Sequence, residues 1–298
     1  MLKTSTILAG SLILLGTLFL WFTQKDTFLE TMEAKSPNNF NLNASPEIIV
    51  LCAASNQTVI ELIRKEYEAE TGCRVSLQFG SSQSLLAQLE LSDRGDLFLP
   101  ADDSYLTMAK QKNLVDKIFP IATMSIGVAV KKGNPKGIAC LSDLIRNDVR
   151  LIQASPDSAA VGKITKSILD KSGQWAALNN ATIAFRSTVT EVATDIQVSA
   201  ADAGIVYAPV LKAFPELEFI ALPELKTAIS QVSVGVSVST PYPEAALKFA
   251  RYITSPDRGL KLYQAQGFSV DETSREELES MKKDDRVNET PADARFGR

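Results

Sequence analysis

Histidine is absent from the 298-residue sequence, and cysteine occurs only three times. Without an imidazole, the chain lacks the base of Ser-His-Asp and Cys-His catalysis and the commonest zinc ligand. No G-x-S-x-G turn occurs either, which disfavours an exported hydrolase with a serine or carboxylate nucleophile. Cys52, Cys73 and Cys140 lack the C-x-x-C spacing of zinc and redox sites. Their apolar or strand-like surroundings predict small buried thiols, and an oxidising compartment stays compatible with them.

Positive charge is also scarce, since the formal net charge is -4 and the body of the chain has no long Lys/Arg run. Such a chain has no basic field that would concentrate nucleic acid, so we expect no nucleic-acid partner. Apolar residues make up 45% and charged residues 22%, a balance typical of globular proteins. The length predicts two lobes of moderate size, each able to bury a core.

The two ends of the chain differ in composition from its body. Lys3 precedes an apolar run at residues 7–22, which predicts a signal peptide or membrane anchor over residues 1–23 and therefore export. No clear small-x-small cleavage site and no lipid-accepting cysteine follow, which favours an uncleaved anchor. Residues 24–46 are predicted as a polar linker. Residues 271–298 are dense in charge and are predicted as a disordered tail.

Between the ends, short β-rich runs alternate with amphipathic helical patterns, which predicts α/β structure built from βαβ units around mostly parallel sheets. Strands are predicted at 48–52, 74–79, 96–99, 125–130, 149–153, 181–185, 203–207 and 232–238. Helices are predicted at 59–71, 105–111, 159–171, 189–198, 244–253 and 257–264, and a further helix after residue 82 carries Leu85, Leu86 and Leu89. Residues 47–122 and 232–267 are assigned to a first lobe and residues 123–231 to a second. The chain then crosses twice between the lobes, which predicts a hinge and a ligand cleft.

Two hydroxyl-rich turns follow predicted strands of the first lobe, one at residues 53–56 and one at residues 80–82. Open α/β sheets bind ligands at the carboxyl ends of their strands. Helix N-termini there present unpaired amides and a positive dipole end, which suits an anion. Ser55, Ser81 and Ser82 are also explained as ordinary N-caps, the commoner role of serine at that position.

The second lobe offers comparable donors in the Ser158 to Gly162 segment and in Tyr207, which ends a predicted strand with a phenol. Metal binding is a weaker interpretation. Asp102 and Asp103 are expected to cap a helix, and Asp96 to bond backbone groups near the cleft, although carboxylates also suit hard cations.

Four segments together resemble the molybdate-binding proteins of ABC importers, which belong to the type II periplasmic binding proteins. The resemblance covers residues 47 to 268. It is carried by Ala53-Ala54-Ser55, by Phe79-Gly80-Ser81-Ser82, by the Gly95 to Asp102 segment and above all by Asp202-Ala203-Gly204-Ile205-Val206-Tyr207.

The resemblance implies a two-lobe fold and a non-enzymatic, monomeric, periplasmic receptor that delivers molybdate or tungstate to an ABC permease, without a cofactor or a metal beyond the oxyanion. It implies hydroxyl and amide donors at Ser55 and Ser82, amide donors at Val161 and Val192, and a hydroxyl donor at Tyr207. The family pattern usually has alanine at the position of Val161, a departure that alters the cavity without removing an amide.

Several alternatives stay open at this point. The same fold could bind sulfate, phosphate or a small organic anion, or the chain could be a degenerate binding protein tethered to the membrane. Glu191 keeps open a variant in which a carboxylate contacts the metal of the oxyanion. Glu191 and Asp195 are otherwise expected to lie on a solvated helix face, because like charges four residues apart repel.

Overall fold

The computed structural model describes residues 47–92 and 94–270. The predicted signal peptide or anchor, the linker and the charged tail therefore lie outside the described residues. Within those residues, no helix is both long enough and apolar enough to span a bilayer. The described chain is α/β, with strands joined in one sheet and helices packed against it.

Strands and helices alternate along most of the described chain. The strands are β1 (Glu47–Ala53), β2 (Arg74–Gly80), β3 (Leu97–Leu99), β4 (Val115–Lys131), β5 (Leu151–Ala154), β6 (Thr182–Arg186), β7 (Ala203–Tyr207), β8 (Leu217–Ile220) and β9 (Ile229–Ser237). The helices are α1 (Gln57–Thr71), α2 (Ser82–Leu91), α3 (Asp103–Gln111), α4 (Leu141–Leu144), α5 (Ala160–Lys171), α6 (Trp175–Ala181), α7 (Val189–Gln197), α8 (Pro243–Ile253) and α9 (Gly259–Ala265). Short 3-10 turns occur at Ala54–Asn56, Ala208–Ala213 and Pro223–Leu225.

The first group of strands has the order β2-β1-β3-β9, in which the first three strands are parallel and β9 is antiparallel to β3. β1 is almost entirely buried after its first residue. Its apolar run therefore reflects a central strand covered on both faces. The carboxyl ends of β1 and β2 lie side by side, because Ala53 pairs with Gly80. This register brings the two hydroxyl-rich turns together.

The second group has the order β7-β5-β6, again parallel, with β4 antiparallel to both β7 and β8. β7 is buried along its whole length and ends at Tyr207, which is 1% exposed. The helices α5 and α7 begin just after β5 and β6. Their N-termini therefore lie at the same edge of the sheet as the end of β7.

β4 joins the two groups. Its first part pairs with β9 as far as Ser125, and its second part pairs with β7 from Ile126 onward. Sequence pattern predicted a strand only from residue 125, because Pro120 and two register shifts interrupt the pairing before that point. A further bridge joins Thr123 to Ser269, with amide-to-carbonyl distances of 2.7 and 3.0 Å. The connection between the groups therefore consists of neighbouring strands rather than a loose linker.

The helix ends follow ordinary capping chemistry. Gly72 ends α1 in the left-handed conformation with a φ of 69°, as its position in the sequence predicts. Ser81 caps α2 by accepting the Ser84 amide at 3.2 Å, and Asp102 caps α3 by accepting the Ser104 amide at 3.0 Å. Ser55 caps no helix; it lies inside a 3-10 turn. Capping therefore explains Ser81 and leaves Ser55 and Ser82 for another role.

The cysteines are only partly as expected. None of the three is in a disulfide, and Cys52 is fully buried, so that burial raises the pKa of its thiol. Cys73 and Cys140 are only partly buried, which corrects the prediction for those two residues. Cys140 precedes α4 at the N-cap position, and its thiol donates to the Asp143 carboxylate rather than packing in the core.

Candidate functional site

A small cavity lies where the carboxyl ends of both strand groups meet. Its volume is about 20 Å³. The wall is built from five short segments and one phenol, at residues 53–55, 80–82, 101, 159–161, 187–189 and Tyr207. Four of these segments lead directly into the helices α1, α2, α5 and α7. Four helix N-termini therefore converge on one point, which concentrates unpaired amides and positive dipole ends there.

Ser82 contributes its hydroxyl and its amide from the first strand group. It is 2% exposed, and its hydroxyl oxygen accepts the Ala101 amide at 3.0 Å. The neighbouring amides of α2 are occupied, because Gln83 donates to the Ser158 carbonyl and Ser84 to Ser81. The Ser82 amide is the first in the helix, where no intrahelical acceptor exists.

Ser55 lies on the same side of the cavity. Ser55 is 8% exposed, and its hydroxyl oxygen accepts a long, 3.4 Å hydrogen bond from the side-chain amide of Asn56. The hydroxyl hydrogen is thus free to donate toward the cavity. Ser55 and Ser82 follow adjacent parallel strands, so the register of β1 and β2 brings the two residues to the same edge of the sheet.

Val161 brings amide donors from the second strand group through the first turn of α5. Lys163 is the first residue there whose amide bonds back into the turn, to Ala159 at 3.0 Å. Gly162 permits this approach, since a Cβ at that position would lie 2.3 Å from the Ala154 carbonyl oxygen. The first turn of α5 therefore sits directly on the loop after β5, which fixes the position of Val161 in the cavity wall.

The N-terminus of α7 reaches the cavity through Ser187, Thr188 and Val189 rather than through Val192. Val192 lies one turn farther into the helix, where its amide donates to the Thr188 carbonyl at 3.4 Å. Its side chain packs on Gly204 of β7. The cavity geometry therefore gives no support to the expected donor at Val192 and indicates the unpaired first-turn amide of Val189 instead.

A capping box orders this end of α7. The Thr188 hydroxyl oxygen accepts the Glu191 amide at 3.2 Å, and the Glu191 carboxylate accepts the Thr188 amide at 2.9 Å. The sequence Thr188-x-x-Glu191 carried this signal, and applying it would have placed the free amides at the start of the helix. Glu191 is thus engaged in capping. Asp195 pairs with Arg186 at 2.5 Å, which offsets the repulsion expected between the two acids.

Tyr207 completes the wall with a buried phenol. Its hydroxyl has no partner in hydrogen-bonding geometry among the described residues, although the nearby Ser230 hydroxyl acts to lower the pKa of Tyr207. Burial dominates and raises the pKa of Tyr207, and the nearby Asp102 carboxylate raises it further. The phenol therefore stays neutral and protonated. An unpartnered buried hydroxyl costs free energy unless a ligand accepts its hydrogen.

The cavity wall carries no charged side chain among the described residues that form it. The nearby acids have structural partners: an Asp96 oxygen accepts the Ile49 amide at 2.7 Å, and Asp102 caps α3 while accepting the Ser230 hydroxyl at 3.1 Å. Within residues 47–92 and 94–270, no group of three or more acids and cysteines is placed to hold a metal ion. The expected backbone and capping roles of Asp96 and Asp102 are confirmed.

Contacts across the cavity hold the two sides together. The Gln83 amide of α2 donates to the Ser158 carbonyl at 3.2 Å, and the Thr190 hydroxyl of α7 donates to the Ala54 carbonyl at 3.4 Å. Both bonds join the first strand group to the second. The structure is therefore closed around the cavity.

The volume limits what the closed cavity can hold. A single water needs roughly 10–15 Å³, and drug-sized ligands occupy pockets of about 300–1,000 Å³. At about 20 Å³, the closed cavity fits a compact group of a few atoms and excludes sugars and peptides. A larger cleft of about 330 Å³ shares Ala54 and Ser55 with it, but the side of α1 and residues 209–214 form most of its wall, without a comparable convergence of helix N-termini.

Comparisons with known proteins agree with this architecture. The molybdate-binding protein ModA of Mycobacterium bovis is 27% identical over 74% of this chain and 84% of its own length. The Azotobacter vinelandii periplasmic molybdate-binding protein superposes with a TM-score of 0.66 at 18% identity, over 75% of this chain and 99% of the other. The sulfate-binding protein SubI of Mycobacterium tuberculosis also gives 0.66, at 17% identity over 79% and 91% of the two chains.

The structural neighbours confirm the α/β fold with two lobes that the sequence predicts. The curated relatives are binding proteins by name rather than enzymes. The model of the bacterial extracellular solute-binding proteins matches residues 48–269, well over half of the chain. The chain therefore belongs to the bacterial extracellular solute-binding protein family.

Proposed function

We propose that this protein captures a tetrahedral oxyanion, molybdate or tungstate, and delivers it to an ABC permease in the membrane. The observation that carries the proposal is the convergence of four helix N-termini on an uncharged cavity of about 20 Å³. Such a site binds an anion through amides and dipole ends, without a cationic side chain. Ser55, Ser82 and Tyr207 add hydroxyl donors, and Val161 and Val189 add amides.

The donor chemistry favours a fully deprotonated oxyanion. A wall of donors matches molybdate, tungstate or sulfate, whereas phosphate that carries a proton requires an acceptor and is disfavoured. The molybdate-binding relatives support molybdate or tungstate over sulfate. Sulfate is the second candidate, because a sulfate-binding protein superposes as well as a molybdate-binding one.

Two lobes and a hinge complete the proposal. Residues 47–122 and 232–267 form the first lobe and residues 123–231 the second, so that β4 and β9 carry both crossings between them. Closure surrounds the anion with donors from both lobes and excludes water, which strengthens each hydrogen bond. The protein acts as a monomer in the periplasm, exported by residues 1–23, which serve as a signal peptide or anchor.

A thermal-unfolding panel tests this function. The purified protein is heated with molybdate, tungstate, sulfate, phosphate or chloride at matched ionic strength. A specific ligand stabilises the folded state by about 4 kcal/mol at a thousandfold excess over its dissociation constant. Stabilisation by molybdate and tungstate alone is the expected result. A shift with sulfate or phosphate alone would keep the receptor and change its substrate, and no shift with any oxyanion would overturn the proposal.

A further inference from the structure

A cationic side chain joins a helix of the first strand group to a helix of the second. The Lys163 ammonium of α5 lies 4.9 Å from the centre of the Tyr105 ring of α3, within the range of a cation-π contact. The same ammonium lies 4.0 Å from the Met108 sulfur, one turn farther along α3. No carboxylate among the described residues forms an ion pair with Lys163, so the ring is its principal partner.

The two helices belong to different strand groups. α3 packs on β9 and β4, whereas α5 packs on β5 and β7 and also contacts β9, one of the two strands that cross between the proposed lobes. Tyr105 lies in the proposed first lobe and Lys163 in the proposed second lobe, so opening of the cleft would separate the ammonium from the ring. Two neutral hydrogen bonds also cross the cavity, from Gln83 and from Thr190.

Tyr105 is suited to accept a cation. It is 2% exposed, so its position in α3 is held by core packing. Burial and the Asp102 carboxylate raise its pKa to about 12, so the ring stays neutral. Lys163 itself is exposed. Its ammonium can therefore leave the ring and enter solvent, and no charge is left buried when the contact breaks. That combination permits repeated opening and closing.

We propose that Lys163 is a positioning residue that latches the closed state by placing its ammonium over the Tyr105 ring. The inference rests on the proposed function and adds a determinant of affinity outside the cavity wall. A ligand that binds the closed state has an apparent dissociation constant that rises as the closed fraction falls. Loss of the latch therefore weakens binding without removing any donor to the anion.

A direct electrostatic effect of Lys163 on the anion makes a different kinetic prediction. Long-range attraction changes the association rate and depends steeply on salt. A latch changes the dissociation rate, because the anion leaves when the lobes open. Dissociation rates at two salt concentrations separate the two mechanisms.

The chain offers a matched control on the same helix. Lys166 lies 5.7 Å from the Trp175 ring, but Trp175 belongs to α6, next to α5 on the same side of the cavity. Lys166 also pairs with Asp170 within α5. Lys163→Met and Lys166→Met each remove one positive charge and one cation-π contact, and only the first removes a contact between lobes. Lys163→Arg keeps the charge and the ability to stack on the ring.

The experiment measures molybdate binding by calorimetry and dissociation by stopped flow for the wild type and the three variants. Lys163→Met is expected to raise the dissociation constant about two- to fivefold through faster dissociation, while Lys163→Arg and Lys166→Met stay at the wild-type value. Equal dissociation rates in Lys163→Met and the wild type would overturn the latch alone. Absence of molybdate binding by the wild type would overturn the proposed ligand and the latch together.

Discussion

The hydroxyl oxygen of Ser82 accepts the amide of Ala101 at 3.0 Å, a bond that joins the start of α2 to the loop after β3. Because the oxygen is the acceptor in this bond, the hydroxyl hydrogen is left to donate elsewhere. Ser82 and Ala101 both line the cavity. In the proposed site a structural bond and a donor to the anion share one side chain, and the two roles can be separated by experiment.

Replacement of Ser82 by alanine should lower both affinity and stability. The variant loses a donor to the anion and leaves the buried Ala101 amide without its acceptor, and each loss costs about 1–3 kcal/mol. Calorimetry with molybdate measures the first effect and thermal unfolding without anion measures the second. Ser84→Ala is the control, since its exposed hydroxyl bonds Ser81 at 2.7 Å rather than facing the cavity. Unchanged affinity in Ser82→Ala would remove this residue from the site.

Tyr207→Phe should lower the affinity for the anion without lowering the stability of the protein. Removal of the unpartnered buried hydroxyl should leave the stability of the anion-free protein unchanged or slightly higher, while affinity falls by about 1–3 kcal/mol. Tyr263→Phe provides the comparison, because its buried hydroxyl also lacks a partner but does not line the cavity. Its affinity should equal that of the wild type. Equal affinities in all three proteins would contradict the role of Tyr207.

Gly162→Ala should displace the first turn of α5. The added Cβ would lie 2.3 Å from the Ala154 carbonyl oxygen and 2.8 Å from the Pro156 nitrogen, which are backbone atoms that cannot rotate away. We expect a loss of stability of about 1–3 kcal/mol and a weaker oxyanion complex. Ser167→Ala, on the exposed face of the same helix, should change neither property. Normal affinity in Gly162→Ala would show that the amides of α5 do not contribute to binding.

Stability should depend on pH through Asp202, which begins the segment leading to Tyr207. The Arg150 side chain bonds this carboxylate, at 2.8 Å for the closest pair of atoms, and lowers the pKa of Asp202. A lowered pKa in the folded state gives stability that is present above the unfolded pKa of about 3.9 and is lost as the pH falls through the folded value.

Asp202→Asn should therefore be less stable than the wild type at neutral pH, with a difference that shrinks as the pH falls below about 4. Denaturant unfolding over a pH series measures this difference. Asp157→Asn, at an exposed position, should follow the wild type throughout. If the stability difference between Asp202→Asn and the wild type stayed constant with pH, the contribution of the Arg150 bond to stability would not depend on protonation of Asp202.

The sequence predicted the elements that surround the cavity because strong local signals mark them. The strand ending at Tyr207 is apolar throughout and both of its ends agree with the structure. The turns at Ser55 and Ser82 follow the predicted strands β1 and β2, and the structure places both residues in the cavity wall. Parallel pairing brings the ends of neighbouring strands to one edge, so a local pattern was enough to predict their proximity.

Long-range pairing was harder to predict. β4 begins ten residues before the predicted strand. β8 was not predicted, because it is only four residues long and its place in the sheet comes from pairing with β4. A different reason explains why Val192, and not Val189, was expected to be the amide donor of α7. Val189 and Val192 are both apolar and buried, so the hydrophobic pattern does not distinguish them. They differ in their amides: Val189 begins the helix and has no intrahelical acceptor, whereas the Val192 amide donates to the Thr188 carbonyl.

The position of β9 has a consequence for biosynthesis. β3 pairs with β1 on one side and with β9 on the other, so the sheet that residues 47–99 begin acquires its next strand only at residues 229–237. At about 5–20 residues per second, a ribosome needs several seconds or more to make the intervening chain. During that time the N-terminal strands present an unpaired edge. The strands that are synthesised first therefore gain their last neighbour only near the end of synthesis, and β3 keeps an unpaired edge until β9 is made.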